Sequence, residues 1–151
     1  MIKFLGILLC CFFAITRPAY ADIVPDYWGV SIASYHVDPK WDFNETNPGI
    51  FAFWEVTEST DFSLGIYHNS FSRVSVSTVF FTEFLSTENV DFSILYGLAY
   101  YPEDGRYFAA HVGNIVPVGG ISADFGRVSI QFIPSDGNIT DGIFTLMLHD
   151  K

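Results

Sequence analysis

The sequence predicts an all-β protein that folds as an antiparallel, eight-stranded up-and-down β-barrel. Three observations favour this fold. Bulky apolar residues alternate with small or polar ones at every second position, which is the period of a β-strand. Eight such segments are separated by clusters of Pro, Gly, Asn and Asp. The segments are nearly free of charged residues, although the whole chain carries a net charge of −10.

The first 21 residues are expected to lie outside the barrel. Met1-Ile2-Lys3 is a short positively charged start, 4–15 is an apolar run, and Ala19-Tyr20-Ala21 supplies the small residues that signal peptidase recognises. This layout predicts a secretory signal peptide over residues 1–21 and a single barrel domain over residues 22–151. The apolar run is shorter than the ~20 residues that a membrane-spanning helix needs.

The composition of residues 22–151 excludes several classes of function. Both cysteines, Cys10 and Cys11, fall within the predicted signal peptide, so the barrel domain has no thiol for a disulfide, a zinc site or a nucleophile. Its five basic and 17 acidic residues give a net charge of −12, which excludes a protein that binds nucleic acid through its phosphates. The four histidines lack metal-ligand spacing, and we expect no cofactor.

The predicted strands follow one another along the barrel domain. In chain order they are 27–35, 50–56, 62–69, 74–82, 90–100, 108–116, 128–133 and 143–148. The connections 42–49, 102–105 and 134–138 contain Pro with its fixed φ, Gly that accepts positive φ, and Asn or Asp that hydrogen-bond locally. We interpret 44–49 as a polar loop ending in Pro-Gly, and 116–120 as a break in the sixth strand.

The first, third and fifth segments show the alternation most clearly. Segment 90–100 places Val90, Phe92, Ile94, Tyr96, Leu98 and Tyr100 on one face and Asp91, Ser93, Leu95, Gly97 and Ala99 on the other. Segment 62–69 places Phe62, Leu64 and Ile66 opposite Ser63, Gly65, Tyr67 and Asn69. Segment 27–35 places Trp28, Val30 and Ile32 opposite Gly29, Ser31, Ala33 and Tyr35. One face of each strand is therefore bulky and apolar, and the other is small or hydroxylated.

The residue types on the small or hydroxylated face distinguish two kinds of barrel. A soluble barrel turns its apolar face inward and exposes Lys, Glu and Arg to water, whereas an outer-membrane barrel turns its apolar face to lipid and fills its lumen with small polar residues. Glu55 and Asp91 are the only Asp, Glu, Lys or Arg residues in the predicted strands. We therefore predict an outer-membrane barrel, with a soluble periplasmic barrel that binds an apolar ligand as the alternative.

Aromatic residues cluster near the ends of the predicted strands. They are Tyr27, Trp28, Trp41, Trp54, Tyr100, Tyr101 and Tyr107. In a membrane barrel such residues form girdles at the two lipid–water interfaces. In a soluble barrel they would instead belong to the core or stack on a ligand.

The tripeptide His68-Asn69-Ser70 is the main candidate for chemistry. A His beside a Ser is the minimum for an activated hydroxyl nucleophile, and residues two apart on a strand leave the same face. If the following turn lies at 71–72, Glu83 is ~35–40 Å from Ser70 along the next strand. The carboxylates of the first connection, Asp42 or Glu45, lie at the same rim, and we choose Glu45 as the third member.

The same tripeptide, with the signal peptide and the strand number, resembles the small eight-stranded outer-membrane barrels that modify lipid A. In the lipid A deacylases of that type, a His-x-Ser pair on one strand works with a Glu against an acyl ester. The resemblance implies that Ser70 is the nucleophile and His68 the general base, and Glu45 would orient His68. The implied activity is hydrolysis of an ester in lipid A.

Three functions follow as expectations. The first is a structural or loop-mediated binding role in the outer membrane, in which His68-Asn69-Ser70 is simply a polar strand end before a turn. Its partners would be membrane lipid or lipopolysaccharide and, at the acidic loops, basic molecules or molecules bridged by divalent cations. The second is the lipid A-directed ester hydrolase, and the third is the soluble periplasmic barrel with an apolar ligand.

Overall fold

The computed structural model describes residues 23–135 and 137–151, which form a closed antiparallel β-barrel. Its strands are β1 (Tyr27–Val37), β2 (Thr46–Thr57), β3 (Thr60–His68), β4 (Val74–Ser86), β5 (Asp91–Tyr100), β6 (Ile115–Phe125), β7 (Val128–Pro134) and β8 (Gly142–His149). Each strand pairs with its neighbours in sequence, and β1 pairs with β8 to close the barrel. The predicted eight-stranded up-and-down fold is confirmed. The predicted signal peptide lies outside the described residues.

The connections lie in two sets at opposite ends of the barrel. The loop end carries L1 (38–45), L2 (69–73), L3 (101–114) and L4 (135–141, of which 136 is not described). The turn end carries T1 (58–59), T2 (87–90) and T3 (126–127), and the chain enters and leaves the barrel there. Each turn is shorter than any loop. In the described part of the chain, the one short helix, Gly105–Tyr107, lies in L3, and no helix is long and apolar enough to cross a membrane.

The strands turn their bulky apolar side chains outward. In β5, Ile94 and Leu98 are each 50% exposed, whereas Ser93 and Leu95, which face the other way, are buried. Exposed large apolar residues occur on all eight strands, among them Trp28, Val30, Ile50, Leu64, Ile66, Val76, Ile94, Leu98, Ile115, Ile121, Ile130, Phe144 and Leu148. The lumen receives mainly small or polar side chains, among them Ser34, Asn47, Ser63, Ser75, Ser77, Ser93, Ser122, Ser129 and Gln131.

A few large side chains fill the narrow lumen because glycines on neighbouring strands leave room for them. Phe51, Phe53 and Met147 form a buried cluster. The ring of Phe51 lies directly over Gly65 of β3, where a Cβ atom would overlap it. An eight-stranded barrel encloses little more space than its own side chains occupy, so the missing Cβ decides whether this ring fits.

The prediction for the sixth strand is wrong. β6 runs through the supposed break at 116–120, and most of the predicted segment 108–116 belongs to L3. The missing N–H of Pro117 breaks no ladder with β7. Among the described residues, this part of β6 pairs with β5 alone. Sheets accept Pro where a strand has a partner on one side only.

The structure differs from two further predictions, both at the start of the barrel. β2 begins at Thr46, so the last four residues of the predicted loop 44–49 belong to a strand. In β1 the register shifts between Ser31 and Ala33, and Tyr35 becomes exposed while Ser34 is buried. A β-bulge inserts one residue and reverses the alternation beyond it, so the prediction that Tyr35 shares a face with Ser31 is wrong.

Candidate functional site

An aromatic cluster covers the loop end of the barrel. It consists of Trp41 and Phe43 from L1, Phe71 from L2, and Tyr101, Tyr107 and Phe108 from L3. Phe71 is central, with ring centroids 5.4 Å from Phe43 and 5.7 Å from Tyr107. Trp41 packs on Tyr107 at 4.7 Å. Such ring contacts bury apolar area and fix ring geometry, so three loops are held together as one surface.

Arg73 adds an ionic tie between L2 and L3. Its guanidinium donates to the Asp104 carboxylate, and its other terminal nitrogen lies 3.1 Å from Glu103 Oε2. The hydrogen bond to Asp104 raises the pKa of Arg73. Asp104 is buried while Arg73 is partly exposed. A buried carboxylate is tolerated only when it is paired, so L3 depends on Arg73 for its position.

Asn69 organises the backbone of L2 from within. Its side-chain Nδ2 donates to Ser75 Oγ at 2.8 Å, and its Oδ1 accepts the N–H groups of Phe71 at 2.9 Å and Arg73 at 3.0 Å. The residue is only 1% exposed. One side chain therefore positions both the central ring of the aromatic cluster and the arginine that ties L3.

A cavity of about 160 Å³ lies in the lumen below the aromatic cluster. Its lining combines polar residues, among them Ser31, Ser34, Asn47, Tyr67 and Gln131, with apolar ones, among them Val79, Leu95, Val116 and Met147. Tyr67 and Tyr101 both line its wall, and burial raises the pKa of Tyr101. A small apolar space with a few fixed polar groups is the usual character of a ligand pocket.

A second cavity of about 110 Å³ opens at the turn end and is acidic. Its lining includes Asp61, Asp91 and Asp124. Asp61 accepts the Tyr27 hydroxyl at 2.6 Å and the Lys151 ammonium at 2.9 Å. Within the described residues, no group of three or more His, Cys, Asp or Glu is placed to hold a metal ion.

The three predicted catalytic residues have different partners in the structure. β3 ends at His68, so Ser70 lies beyond the strand in L2, where it lines the lumen cavity. His68 Nδ1 lies 3.3 Å from Asn44 Nδ2. Glu45 Oε1 accepts the His36 backbone N–H at 3.3 Å and lies 3.9 Å from His36 Nδ1. Their catalytic roles stay a prediction.

The geometric argument about Glu83 is confirmed. His68 pairs with Val74 across the β3–β4 ladder, as the predicted turn requires. The backbone N–H of Glu83 donates to the carbonyl of Ser59 in T1. Glu83 therefore lies at the turn end, and Ser70 lies at the loop end.

Sequence reasoning misses His36 and the aromatic cluster. His36 is buried, and its ring stacks on Phe43 with centroids 4.2 Å apart. Simple alternation places His36 on the outward face with Trp28, and the bulge in β1 turns it inward. Phe43 and Phe71 lie in polar connections, where periodicity carries no information about contacts. Their one sequence signal is a large apolar ring within a loop.

No protein-family model matches this chain, and no curated protein matches it.

Proposed function

We propose that the protein is a small outer-membrane β-barrel that spans the bilayer with β1–β8 and has a structural or binding role through its loops. One observation carries this proposal. All eight strands present exposed apolar side chains outward, while serines and amides fill the lumen. In water such a belt would be an apolar patch far larger than monomeric proteins expose. In hydrocarbon it is the expected outer surface of a barrel.

The distribution of charge supports the same proposal. Strand carboxylates lie near the turn end, at Glu55, Asp61, Glu83, Asp91 and Asp124, and the strands contain no Lys or Arg. The middle of each strand is therefore neutral. A charged side chain that faces lipid destabilises a barrel most at the centre of the bilayer and least near its surfaces. This arrangement of carboxylates avoids that destabilisation.

Outward aromatic residues near both ends fit interfacial girdles. Trp28 is exposed near the turn end, and Tyr35 and Tyr100 are exposed near the loop end. Fewer aromatic residues face outward than the sequence predicts. Tyr27 turns inward and stacks on Phe53, with ring centroids 4.5 Å apart. Trp41, Tyr101 and Tyr107 belong instead to the aromatic cluster. Aromatic side chains at these heights suit the headgroup region of a membrane.

The loops supply the surface for the proposed binding role. The described acidic residues of the four loops are Asp38, Asp42, Glu45, Glu103, Asp104 and Asp141, and the described basic ones are Lys40, Arg73 and Arg106. This acidic excess favours a basic partner, or an anionic one such as lipopolysaccharide bridged by divalent cations. The aromatic cluster and the Arg73 tie favour a preformed surface, which lowers the entropic cost of binding.

Fractionation of cells that produce the protein tests the membrane location. We expect the protein in the outer-membrane fraction, released only by detergent, with an electrophoretic mobility that changes when the sample is heated. The closed barrel resists unfolding in unheated detergent, and that resistance produces the mobility change. Recovery as a soluble periplasmic protein that needs no detergent would contradict the proposal and favour the soluble barrel.

A substitution at Leu64 tests which solvent surrounds the strands. Leu64 lies at the centre of β3 and is 45% exposed. In a bilayer, Leu64→Arg is expected to lower the free energy of unfolding by about 2–4 kcal/mol, measured by denaturant titration in phospholipid vesicles. Ser72→Arg, at the exposed position of loop L2, is the matched control, with little expected change. A barrel surrounded by water would tolerate both variants equally.

A further inference from the structure

The cavity of about 110 Å³ at the turn end carries more negative charge than its own residues balance. We call it the turn-end cavity. Among the described residues, Lys151 is the one Lys or Arg in its lining. The carboxylates of the lining belong to Glu58, Asp61, Glu83, Asp91 and Asp124. The cavity therefore has a net negative charge, which attracts a cation.

Lys151 shows how this cavity holds an ammonium group. Its Nζ lies 2.9 Å from Asp61 Oδ2, 4.0 Å from Glu55 Oε1 and 5.0 Å from the centroid of the Tyr27 ring. A carboxylate and an aromatic face are both favourable neighbours of a cation. Partial burial acts to lower the pKa of Lys151, but the hydrogen bond to Asp61 and the nearby carboxylates outweigh it and raise the pKa. The surroundings therefore stabilise an ammonium more than burial destabilises it.

Asp124 lines the same cavity with neutral partners. Ser122 Oγ lies 3.3 Å from each of its carboxylate oxygens, and the Ser129 hydroxyl donates to Oδ1. Within the described residues, its one ion-pair neighbour is His149, whose Nε2 lies 3.9 Å from Asp124 Oδ1. The Asp124 side chain is only 27% exposed. A carboxylate withdrawn from water is stabilised by a positive partner, and the two serines do not supply that charge.

His149 is a second observation, independent of the carboxylates. Its side chain is 8% exposed and lines the turn-end cavity. Nδ1 is buried and has no hydrogen-bond partner among the described residues, and the 3.9 Å between Nε2 and Asp124 exceeds hydrogen-bond distance. A buried polar group without a partner is uncommon and destabilising. A donor inside the cavity would supply the partner that this imidazole lacks.

We propose that the turn-end cavity binds the primary ammonium group of a small aliphatic amine, with Asp124 as its counter-ion and His149 as a hydrogen-bond acceptor. An ammonium has three N–H donors, and the carboxylate and the imidazole supply acceptors for them. Phe53 and Met147 line the same cavity and offer apolar surface to the alkyl chain. The inference does not depend on whether lipid or water surrounds the strands.

The chemistry of the lining favours an ammonium over other ligands. The carboxylates repel an anion. A metal ion needs several ligands that converge on one point, and no such group of His, Cys, Asp or Glu exists among the described residues. An ammonium accepts a looser arrangement, as the contacts of Lys151 with Asp61 and Tyr27 show. The small volume of the cavity limits the alkyl chain to a short one.

Isothermal titration calorimetry tests the proposal on the whole protein in micelles of an uncharged detergent. The probe is 1,5-diaminopentane at low salt, and we expect saturable binding at one site that weakens as salt is added. Tetramethylammonium carries the same kind of charge without an N–H donor and is expected to bind at least about tenfold more weakly. Nα-acetyl-lysine methylamide distinguishes the source of the amine. If it binds as well as the diamine, the site also accepts a lysine side chain, whereas binding of the diamine alone restricts the site to free amines.

Three variants locate the site. Asp124→Asn is expected to weaken binding of the diamine about tenfold, because the ammonium loses its charged acceptor. Glu88→Gln removes the same charge from an exposed position in T2 outside the cavity and is expected to leave the affinity unchanged. Lys151→Gln removes the resident cation, so the affinity for the diamine should rise several-fold. Circular dichroism verifies that each variant is folded.

Several outcomes would overturn the inference, and each leaves the membrane location standing. The first is the absence of saturable heat with the diamine. The second is tetramethylammonium binding as tight as that of the diamine, which would indicate a general attraction to the acidic end. Equal affinities of Asp124→Asn and Glu88→Gln would also overturn it. If Asp124→Asn does not fold, the exposed Lys151 decides, since an unchanged affinity in Lys151→Gln would place the amine outside this cavity.

Discussion

At the scale of single residues, Asn69 shows how one buried side chain shapes a whole surface. Its amide satisfies two backbone N–H groups in L2 and donates to Ser75. In the tripeptide His68-Asn69-Ser70, the sequence predicts chemistry for the outer two residues. In the structure, the middle residue has the clearest role, which is structural. A buried amide with fixed partners stabilises one loop conformation because any other leaves polar groups unpaired.

Replacing Asn69 should weaken the barrel measurably. Asn69→Ala leaves the N–H groups of Phe71 and Arg73 without their acceptor, which is expected to cost about 1–3 kcal/mol of unfolding free energy. Denaturant titration in vesicles measures this cost. Asn69→Asp keeps the acceptor and is expected to lose less, and Asn89→Ala in the exposed turn T2 is the control. Equal stability of Asn69→Ala and Asn89→Ala would refute the assigned role.

The ester-hydrolase hypothesis makes its own prediction at Ser70. If Ser70 is a nucleophile, lipid A from cells with the protein should lack an acyl chain that Ser70→Ala restores. Mass spectrometry of lipid A from cells with the protein, with the variant and without either measures this. An acyl pattern that is the same in all three would remove the hypothesis, whatever the outcome for the membrane location.

At the scale of elements, the sequence predicts a strand well where its alternation is uninterrupted. In β5 each predicted face is the face observed, and the turn between β3 and β4 lies where predicted. β1 and β6 differ for physical reasons. No residue type marks the bulge after Ser31, and the run Pro117-Val118-Gly119-Gly120 is typical of a turn. Only the position of β7 explains why Pro117 is accepted within a strand.

A glycine pair tests how tightly the lumen is packed. Gly65→Ala would push into the ring of Phe51, and overpacking of this kind costs about 1–3 kcal/mol. Gly119→Ala, also within a strand, faces open space and is expected to change stability little. The two unfolding free energies, measured side by side, should differ in this order. Equal losses of unfolding free energy would mean that the Phe51 ring moves freely to make room for a side chain at position 65.

The tie between L2 and L3 predicts a difference in proteolysis. Arg73→Ala leaves the buried Asp104 carboxylate without its partner, so L3 should loosen and chymotrypsin should cleave faster at Tyr107 and Phe108. Arg106→Ala removes a neighbouring positive charge that donates to the Tyr107 hydroxyl and lies over its ring, and this variant should be cleaved more slowly than Arg73→Ala. Added salt should speed cleavage of the unaltered protein, because it screens the ion pair. Identical cleavage rates in both variants would argue against the tie.

At the scale of the whole molecule, the barrel has two unlike ends. Outer-membrane barrels place short turns in the periplasm and longer loops outside the cell. The proposed function therefore predicts that L1–L4 face the exterior and T1–T3 the periplasm. The aromatic cluster and the acidic excess of the loops would then meet the surroundings of the cell.

Single cysteines test this orientation, since residues 22–151 contain none of their own. Ser72→Cys in L2 should react with a membrane-impermeant maleimide in intact cells. Ser59→Cys in T1, also an exposed serine in a connection, should react only after the outer membrane is permeabilised. Labelling of Ser59→Cys in intact cells would reverse the predicted orientation.

The fold could be predicted from sequence further than the site because its signals are local. Alternation and turn residues act within one strand or connection, and they suffice for strand number and topology. The site depends on contacts between distant segments, such as Trp41 with Tyr107 and Arg73 with Asp104. No pattern in one segment specifies which ring or carboxylate of another segment it will meet.

The closure of the barrel has a consequence for the order of folding. The Trp28 N–H donates to the Asp150 side chain, a pair 122 positions apart in sequence, and β1 and β8 form the closing ladder. Until the last strand is in place, the first keeps an open row of N–H and C=O groups, which can pair with another chain. Folding dominated by such distant contacts is slow. During that interval the open edges of the unfinished sheet can pair with those of its copies.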